Sequence, residues 1–344
     1  MAKGRLRIAV IGGEVGESVV ITTPGGEVGV VDCFQGLDDI GNPTLRDAAV
    51  AKCDRLRFLA ATHPHADHIM GLRAVLDAKS PREVWIPQPL GPRYLTLITR
   101  LALDETRGMP RDVAERQRSV IEEWTAFVER VLQDRSNGKL AIQALVAGLP
   151  LYEEEEHEFS IHCLSPSFGA TIDYSKILHP ERKEPSPYSP HNRISSVLLV
   201  RYGSWLGVLG ADAEIRTWQD IVETKSDAVA GANWIKVAHH GSPTGIFGPL
   251  YTRSSAKGCV AFVTGFALNR LPRVEGLMPL WDSGIQVYCT NANALERRDP
   301  HLAKHHEDMP VTGRIVCNVN SDGESEVTFE PPAGLLSRPV ETTR

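Results

Sequence analysis

The sequence predicts an α+β fold with two β-rich halves separated by helices, a pattern that suits a pseudo-symmetric sandwich. Short apolar runs bounded by glycine and proline recur in the first and last thirds of the chain, which indicates strands joined by turns. Charged segments with apolar residues at helical spacing lie between them. With 344 residues and 42% hydrophobic content, the chain can bury a full core. We expect one domain over residues 1–335 and a flexible tail over residues 336–344.

The first third of the chain indicates a meander of strands that ends in a histidine-rich loop. Glycine turns, such as the one at Pro24-Gly25-Gly26, separate its apolar runs. A segment with helical periodicity, residues 69–78, follows the loop. Strands are expected at residues 5–11, 18–22, 29–32, 56–61 and 83–86.

A charged segment over residues 90–138 interrupts the strand pattern. Apolar residues from Val120 to Leu132 recur at helical spacing, which predicts a helical insertion. Three roles stay open for it: a lid over the site, an element that forms a homodimer, or a stabilising flank. A proline-rich loop over residues 165–190 follows and is expected to shape a pocket. The rest of the chain mixes helices, one of them over residues 214–222, with strands at residues 196–202, 205–209, 234–238, 259–264, 285–290 and 313–319.

Composition argues against several classes of protein. A formal net charge of −6 leaves no broad basic surface, so we expect a small phosphorylated substrate or a short nucleic acid as partner, and no long nucleic acid. The opening residues lack the apolar core of a signal peptide, and no apolar run is long enough to span a membrane, so a cytoplasmic protein without membrane contact is expected. The six cysteines are scattered without a C-x-x-C pair, which argues against disulfides and a cysteine zinc site.

One segment concentrates metal-binding side chains at the end of an apolar strand. Directly after Thr62, the chain places three imidazoles and a carboxylate within six positions. Histidine nitrogens and a carboxylate suit Zn²⁺, Mn²⁺ or Fe²⁺, and a loop that leaves a strand can direct alternate side chains at one point. We expect His63 and His65 to bind one ion, and Asp67 and His68 to bind a second.

A carboxylate follows a second apolar strand. Asp212 ends the run Val208-Leu209-Gly210-Ala211-Asp212, just before a predicted helix. Such a residue can cap the helix or bridge two cations, and its position in the sequence favours neither role. The histidine-rich loop favours the metal-bridging role of Asp212, because two cations held a few ångströms apart need a negative group between them.

Two neighbouring histidines, His239 and His240, leave a third strand. Because strand side chains alternate, we expect them to point in different directions, so that one ligates a metal and the other assists a leaving group, contacts a phosphate or orients a ligand. His240 is our candidate for the ligand, and the sequence leaves His239 open as the alternative. His191, at the end of the proline-rich loop, is placed to complete the ligands of the first ion. The almost equal alternative is that His191 is exposed in this loop and binds no metal.

Taken together, these residues resemble the metallo-β-lactamase superfamily and, within it, the soluble ComEC-like metallohydrolase domain of competent bacteria. The segment from Thr62 to Gly71 is similar to the family signature T-H-x-H-x-D-H-x-x-G, and Asp32 matches the family's early strand-end aspartate. Three further elements occur in the family's order: Asn-x-x-Ser at Asn192 and Ser195, G-x-D ending at Asp212, and H-H-G-S beginning at His239.

Two segments depart from the pattern of that family. The opening has Gly13-Glu14-Val15-Gly16-Glu17-Ser18 where the family shows G-Q-G-D-[AS]. The segment Asn269-Arg270-Leu271-Pro272 lacks the histidine of the family's N-x-Y-G-H-P-like segment. This missing histidine bears on substrate choice more than on metal binding. Arg270 or Arg273 could serve as a phosphate contact instead, although a solvated surface arginine is the more common case.

The resemblance implies a four-layered αββα sandwich, the metallo-β-lactamase fold, with two divalent metal ions at one edge. It also implies hydrolysis by a hydroxide that bridges these ions, with Zn²⁺ expected and Mn²⁺ as the alternative. We expect a phosphodiesterase or nuclease in which Asp67 orients the attacking water and His239 or His240 assists the leaving group. A hydrolase of a carbonyl ester, lactone or β-lactam, and a catalytically silent metal-binding regulator, are the alternatives. The expected substrate contacts are Asn192, Ser242, Asn269 and Arg270.

Overall fold

The computed structural model describes most of the chain as two β-sheets with helices on their outer faces. The described residues are 4–13, 15–36, 41–87, 111–177, 190–255, 258–267, 269–292 and 312–338. The first part of the predicted insertion (90–110), part of the proline-rich loop (178–189) and the end of the predicted tail (339–344) lie outside the described residues.

The first sheet takes its strands from two distant parts of the chain. They are β1 (Leu6–Gly12), β2 (Glu17–Thr22), β3 (Val28–Val31), β4 (Phe58–Ala60), β5 (Glu83–Pro87), β6 (Ala141–Leu145), β14 (Gly313–Val319) and β15 (Ser325–Glu330). Their order is β15-β14-β1-β2-β3-β4-β5-β6. β1 pairs antiparallel with β2 and β14, whereas β3 to β6 are parallel. The carboxyl ends of β3 to β6 therefore lie along one edge.

The second sheet has a similar plan. Its strands are β7 (Pro150–Glu154), β8 (Phe159–Cys163), β9 (Leu198–Tyr202), β10 (Trp205–Leu209), β11 (Trp234–Lys236), β12 (Val260–Val263), β13 (Gln286–Cys289) and β16 (Gly334–Leu335). Their order is β16-β13-β12-β11-β10-β9-β8-β7. β10 to β13 are parallel, so the loops that follow them also emerge along one edge.

Strand side chains alternate between two faces and fill three apolar layers. In β1, Ile8 and Val10 lie in the core between the sheets, whereas Ala9 and Ile11 lie in the core under the outer helices of the first sheet. A third apolar core lies between the second sheet and its own helices. The layers are thus helix, sheet, sheet and helix, which confirms the predicted αββα sandwich.

The helices follow the predicted pattern, with shifted ends. The segment predicted as one helix over residues 69–78 forms two short helices, and the helix predicted over residues 214–222 continues to Val229 with a kink at Lys225, where φ is −141°. None of the described helices has both the length and the apolar content needed to cross a membrane. The helices are α1 (Ala48–Lys52), α2 (Ala66–Ile69), α3 (Leu72–Lys79), α4 (Arg111–Ser136), α5 (Phe168–Ile177), α6 (Ile215–Val229), α7 (Gly248–Ser255) and α8 (Val274–Asp282).

The described part of the insertion is one long helix, α4, that packs against α3. Its apolar face, which includes Trp124 and Phe127, is buried in the core of the first sheet. Arg130 bridges Asp134 in the same helix and Asp77 in α3. These contacts suit a stabilising flank, while a lid and an element that forms a homodimer stay open as predictions.

The second sheet continues slightly beyond the domain boundary predicted at residue 335. Leu336 is buried, and its N–H donates to the carbonyl of Val287 at 2.8 Å. A residue with a buried side chain and a main-chain hydrogen bond belongs to the packed domain. Leu336 therefore packs with the domain, and a flexible tail after it stays a prediction.

The cysteines differ in accessibility, which leads to a prediction. Burial raises the pKa of four thiols, those of Cys33, Cys163, Cys259 and Cys317, to about 12. Cys53, at the end of α1, is partly exposed. We therefore expect Ellman's reagent to modify Cys53 first in the folded protein, because only a reachable thiolate attacks the reagent. A Cys53→Ser variant that reacted as fast as the wild type would contradict this expectation.

Candidate metal centre

The histidine-rich loop follows β4 at the carboxyl edge of the first sheet and turns back on itself. His63 is buried, and the one-turn helix α2 returns Asp67 and His68 to the same point. The N–H of His68 closes the turn by donating to the carbonyl of His65 at 3.0 Å. The rings of His63 and His68 consequently lie 4.3 Å apart between centroids. A short segment thus brings four candidate ligands together.

Two loops of the second sheet face this loop and supply the other side chains. Asp212 follows β10, and its N–H donates to Ser195 Oγ at 2.9 Å. His239 and His240 follow β11 in a tight turn, in which their φ angles are 50° and 51°. Because β11 ends at Lys236, this left-handed turn separates the two rings, and the strand alternation predicted from the sequence plays no part.

These side chains form two groups of donor atoms that share Asp212. Within each group the donor atoms lie within 4.8 Å of one another, so either group could hold a metal ion. A carboxylate shared in this way could bridge two cations. The first group contains His63, His65 and Asp212, and the second contains Asp67, His68, Asp212 and His240.

Two atoms at the centre of the second group lack hydrogen-bond partners among the described residues. His68 Nε2 and Asp212 Oδ1 are buried and 3.2 Å apart, yet neither is hydrogen-bonded. On its other side, His68 Nδ1 lies 2.7 Å from Asp32 Oδ2, and because an ionised carboxylate only accepts, Nδ1 carries the proton. In the neutral ring, the lone pair of Nε2 then faces a carboxylate oxygen. A divalent cation would satisfy both atoms.

The same reasoning applies to His63. Thr62 Oγ1 donates to Asp32 Oδ2 at 2.7 Å, so its lone pairs are free to accept from His63 Nδ1, 3.1 Å away. This leaves the lone pair of His63 on Nε2, which lies 3.6 Å from Asp212 Oδ2. Asp32 thus orients two histidines at once, one directly and one through Thr62. The residues fit the pair of divalent cations predicted from the sequence.

Opposite charges set the protonation states of the cluster. Burial alone would lower the pKa of His68, but Asp212, Asp67 and Asp32 raise it well above its ordinary value. Burial would raise the pKa of Asp212, yet His68 holds it well below its ordinary value. A proton on His68 therefore balances the carboxylates in the metal-free protein, and a cation that binds there must displace it.

A buried ion pair behind the second group was not predicted from the sequence. Glu17, where β2 begins, pairs with Lys236, where β11 ends. Lys236 is 1% exposed and Glu17 is 2% exposed. Burial would raise the pKa of Glu17, but Lys236, His240 and His68 together lower it. The available signal was a lysine inside an apolar strand, because a buried lysine requires a partner.

His191 lies beside the first group but is not one of its three members. Its Nδ1 is 2.8 Å from the hydroxyl of Tyr174, and its ring meets that of His65 edge-on, with 5.4 Å between centroids. Burial, followed by the neighbouring His65 and His63, lowers the pKa of His191 to about 3, so its ring is neutral. His191 thus contacts the first group through His65, and its role as a third ligand of the first ion stays a prediction.

A cavity of about 520 Å³ opens beside His239. Two of its lining residues contact this histidine: Thr244 Oγ1 and Glu214 Oε1 lie 3.2 Å and 3.9 Å from Nδ1. His239 Nε2 is 3.9 Å from Asp212 Oδ2, so the ring stands between the cavity and the metal groups. Asn192, a predicted substrate contact, lines the same cavity, and its Nδ2 donates to Glu214 Oε1 at 3.3 Å.

The other predicted substrate contacts do not line this cavity. Ser242 Oγ is 3.0 Å from Thr244 Oγ1 and so supports one of the walls. Asn269 and Arg270 are exposed in the turn between Phe266 and Leu271. A contact between these two residues and a substrate therefore stays a prediction.

The chain is similar in structure to several solved proteins. They include the metallo-β-lactamase-fold protein YhfI from Bacillus subtilis, with 13% identity and a TM-score of 0.44 over 83% of this chain and 96% of that one. Zn²⁺-bound PqqB from Methylobacterium extorquens has 10% identity and a TM-score of 0.33, over 64% of this chain and 59% of that one. A diphosphatase of the PhnP family has 12% identity and a TM-score of 0.37, over 75% and 85%. No protein-family model and no curated protein matches the chain.

The chain's own layers, strand order and ligand loops identify its fold. The two sheets pack face to face between helices, and the candidate ligands follow β4, β10 and β11 at their carboxyl ends. This is the metallo-β-lactamase fold that the sequence predicts.

Proposed function

We propose that the protein is a metal-dependent hydrolase of phosphodiesters, acting on small phosphorylated molecules or short nucleic acids. The observation that carries the proposal is the pair of histidine–carboxylate groups that share Asp212 beside a cavity of about 520 Å³. A buried cluster of such density, with an adjoining space for a ligand, suits a catalytic centre better than a structural one. The order of the sequence motifs supports a place in the ComEC-like branch of the superfamily.

Two divalent cations are proposed for this centre, one in each group. When bound, they would supply Lewis-acid activation of a water molecule and of the scissile bond. The donors are imidazole nitrogens and carboxylate oxygens, a set that favours Zn²⁺, with Mn²⁺ as the alternative. Asp67, whose Oδ2 lies 2.9 Å from His240 Nε2, is our candidate for orienting the attacking water.

His239 is the candidate for assisting the leaving group, because His240 belongs to a ligand group and His239 does not. When Thr244 donates to Nδ1, the proton of the neutral His239 ring is on Nε2, the nitrogen nearer Asp212. Burial lowers the pKa of His239, so we assign it a neutral ring that donates a hydrogen bond from Nε2 to the leaving oxygen.

Two arginines in the lining of the cavity offer contacts to an anionic substrate, in a lining that also contains Asp173, Glu214 and Asp220. Arg193 and Arg216 both line it, and Arg193 forms no ion pair within the described part of the chain. A guanidinium group recognises the oxygens of a phosphodiester, which carries a negative charge at neutral pH. A carboxylic ester or lactone is neutral and would gain less from Arg193. This difference supports the phosphodiester over the carbonyl substrates.

The proposal predicts a dependence on the leaving group. We expect the chelator-treated protein to hydrolyse bis(p-nitrophenyl) phosphate and a dinucleotide only after Zn²⁺ or Mn²⁺ is added. A His239→Asn variant, which tolerates the positive φ, should retain its metal but lose about 10²–10⁴-fold in kcat on the dinucleotide. The loss should be smaller with the nitrophenyl ester, because nitrophenolate leaves without a proton. Steady-state kinetics and elemental analysis of both proteins measure these effects.

Other outcomes would contradict the proposal in different ways. Hydrolysis of lactones or thioesters without hydrolysis of diesters would indicate a carbonyl substrate on the same site. Bound metal with no turnover of either class would indicate a regulatory protein. Absence of bound metal in the wild type would remove the basis for a metallohydrolase.

A further inference from the structure

A chain of three buried side chains lies behind His240 and connects the two sheets. Lys236 Nζ donates to Glu17 Oε1, and Thr264 Oγ1 donates to Glu17 Oε2 at 2.5 Å. The same Thr264 oxygen lies 2.8 Å from His240 Nδ1. Glu17 begins β2 in the first sheet, whereas Lys236 ends β11 in the second, and Thr264 follows β12.

The chemistry of these groups fixes the direction of every hydrogen bond in the chain. An ammonium group only donates and a carboxylate only accepts, so the hydroxyl hydrogen of Thr264 must point to Glu17. The Thr264 oxygen can then only accept from His240, so His240 Nδ1 must carry a proton. In the neutral ring, the lone pair of His240 is therefore on Nε2, 2.9 Å from Asp67 Oδ2.

We propose that Lys236, Glu17 and Thr264 are positioning residues that fix the tautomer of His240, so that Nε2 is ready for a divalent cation. The inference rests on the proposed metal-dependent function and names a device that this function requires. The arrangement parallels Asp32 behind His68, with Thr264 inserted between the carboxylate and the ring. When the tautomer of a histidine is already fixed, none of the metal-binding free energy is needed to convert the ring from the other tautomer.

The lysine has a distinct part in this device. Glu17 Oε1 lies 3.8 Å from His68 Nδ1, and Glu17, Asp32 and His68 form a third group of donors that could hold a metal ion. The ammonium group of Lys236 already occupies a position against Glu17. Lys236 thus balances the charge of Glu17 internally, and the carboxylate serves His240 through Thr264 instead of binding a cation.

Two substitutions at Thr264 separate this role from a structural one. Thr264→Val has nearly the same shape but neither donates nor accepts, so His240 Nδ1 loses its 2.8 Å acceptor and keeps only Glu17 Oε2, 3.4 Å away, to hold its proton. Thr264→Ser retains the hydroxyl group and the whole chain. Glu17→Gln can donate to Thr264, which would turn the hydroxyl hydrogen towards His240 and favour the proton on Nε2.

A Zn²⁺ titration of the chelator-treated full chain, with the heat of binding measured by calorimetry, tests the proposal. We expect the Ser variant to bind Zn²⁺ as the wild type does, and the Val and Gln variants to bind one Zn²⁺ about 10–100-fold more weakly. Binding at the group of His63 and His65 should change little. Urea unfolding of all four metal-free proteins identifies any variant that does not fold. If Glu17→Gln does not fold, the comparison of Thr264→Ser with Thr264→Val still tests the proposal.

The tautomer itself provides a second measurement. In ¹⁵N-histidine-labelled Zn²⁺-bound wild-type protein, His240 should show the proton on Nδ1. A Val variant that folds and binds both ions with wild-type affinity would overturn the proposal, as would a proton on Nε2 in the wild type. If the wild type binds Zn²⁺ but hydrolyses no phosphodiester, the proposed function fails while the Zn²⁺ affinities of Ser and Val still test the positioning role.

Discussion

Replacing Asp212 with asparagine is expected to remove metal from both groups at once and to reduce hydrolysis below detection. Asp212 is the one residue that the two groups share, and its Oδ1 and Oδ2 face His68 and His63 respectively. Loss of a residue outside the ligand set already costs roughly 10–100-fold in metal affinity, so loss of a shared ligand should cost more. Elemental analysis after gel filtration and the phosphodiester assay measure both effects.

The thermal response to metal gives an independent readout of the same substitution. Zn²⁺ at a free concentration about one hundred times its Kd should stabilise the wild type by about 2.7 kcal/mol, whereas Asp212→Asn should show no such shift. Asp77→Asn, on the exposed face of α3, is the matched control and should behave as the wild type. Retention of two ions by Asp212→Asn would show that Asp212 does not bridge two cations.

Asp32→Asn is expected to weaken metal binding about 10–100-fold and to lower the free energy of unfolding by about 1–3 kcal/mol. Asp32 accepts from the N–H and hydroxyl of Thr62 and from His68 Nδ1. Asparagine has one acceptor oxygen, so its NH₂ group must face at least one of these donors. The backbone φ of Asp32 is 57°, an angle that asparagine also tolerates. The substitution therefore changes the hydrogen bonding without adding backbone strain. Zn²⁺ calorimetry and urea unfolding measure the two effects.

A second buried aspartate provides the control for Asp32→Asn. Asp47 is fully buried, accepts from Arg7 and caps α1, but it belongs to neither ligand group. Asp47→Asn should therefore destabilise the fold and leave Zn²⁺ affinity unchanged. Equal losses of Zn²⁺ affinity in the two variants would mean that Asp32 acts through general stability and does not orient the histidines.

The histidine-rich loop was predictable because its ligands are close together in the sequence. A strand followed by a one-turn helix brings His63, Asp67 and His68 to one point through local geometry alone. Asp212 was ambiguous by itself, since a strand-end carboxylate before a helix has two ordinary uses. The local motif resolved this ambiguity because a dense ligand loop requires partners from elsewhere in the fold.

The supporting side chains could not be predicted, because their roles depend on how the two sheets dock. Lys236 stands out as a lysine in an apolar strand, but only the packing of the two sheets identifies Glu17 as its partner. The choice between His239 and His240 depends on two left-handed φ angles, which no periodicity reveals. The hydrogen bond between His191 and Tyr174 joins a short 3-10 helix to the preceding α-helix, and no local pattern in the sequence reveals it.

The strand order also determines how late in its synthesis the protein can complete its fold. β1 lies between β2 and β14, and Leu6 pairs with Val319. While the ribosome is still making the intervening chain, β1 has an open edge that invites pairing with other chains. Its closure is a contact of very high sequence separation and is therefore slow to form. Truncated translation products should consequently be insoluble, and cells with depleted chaperones should accumulate the full-length protein as aggregate.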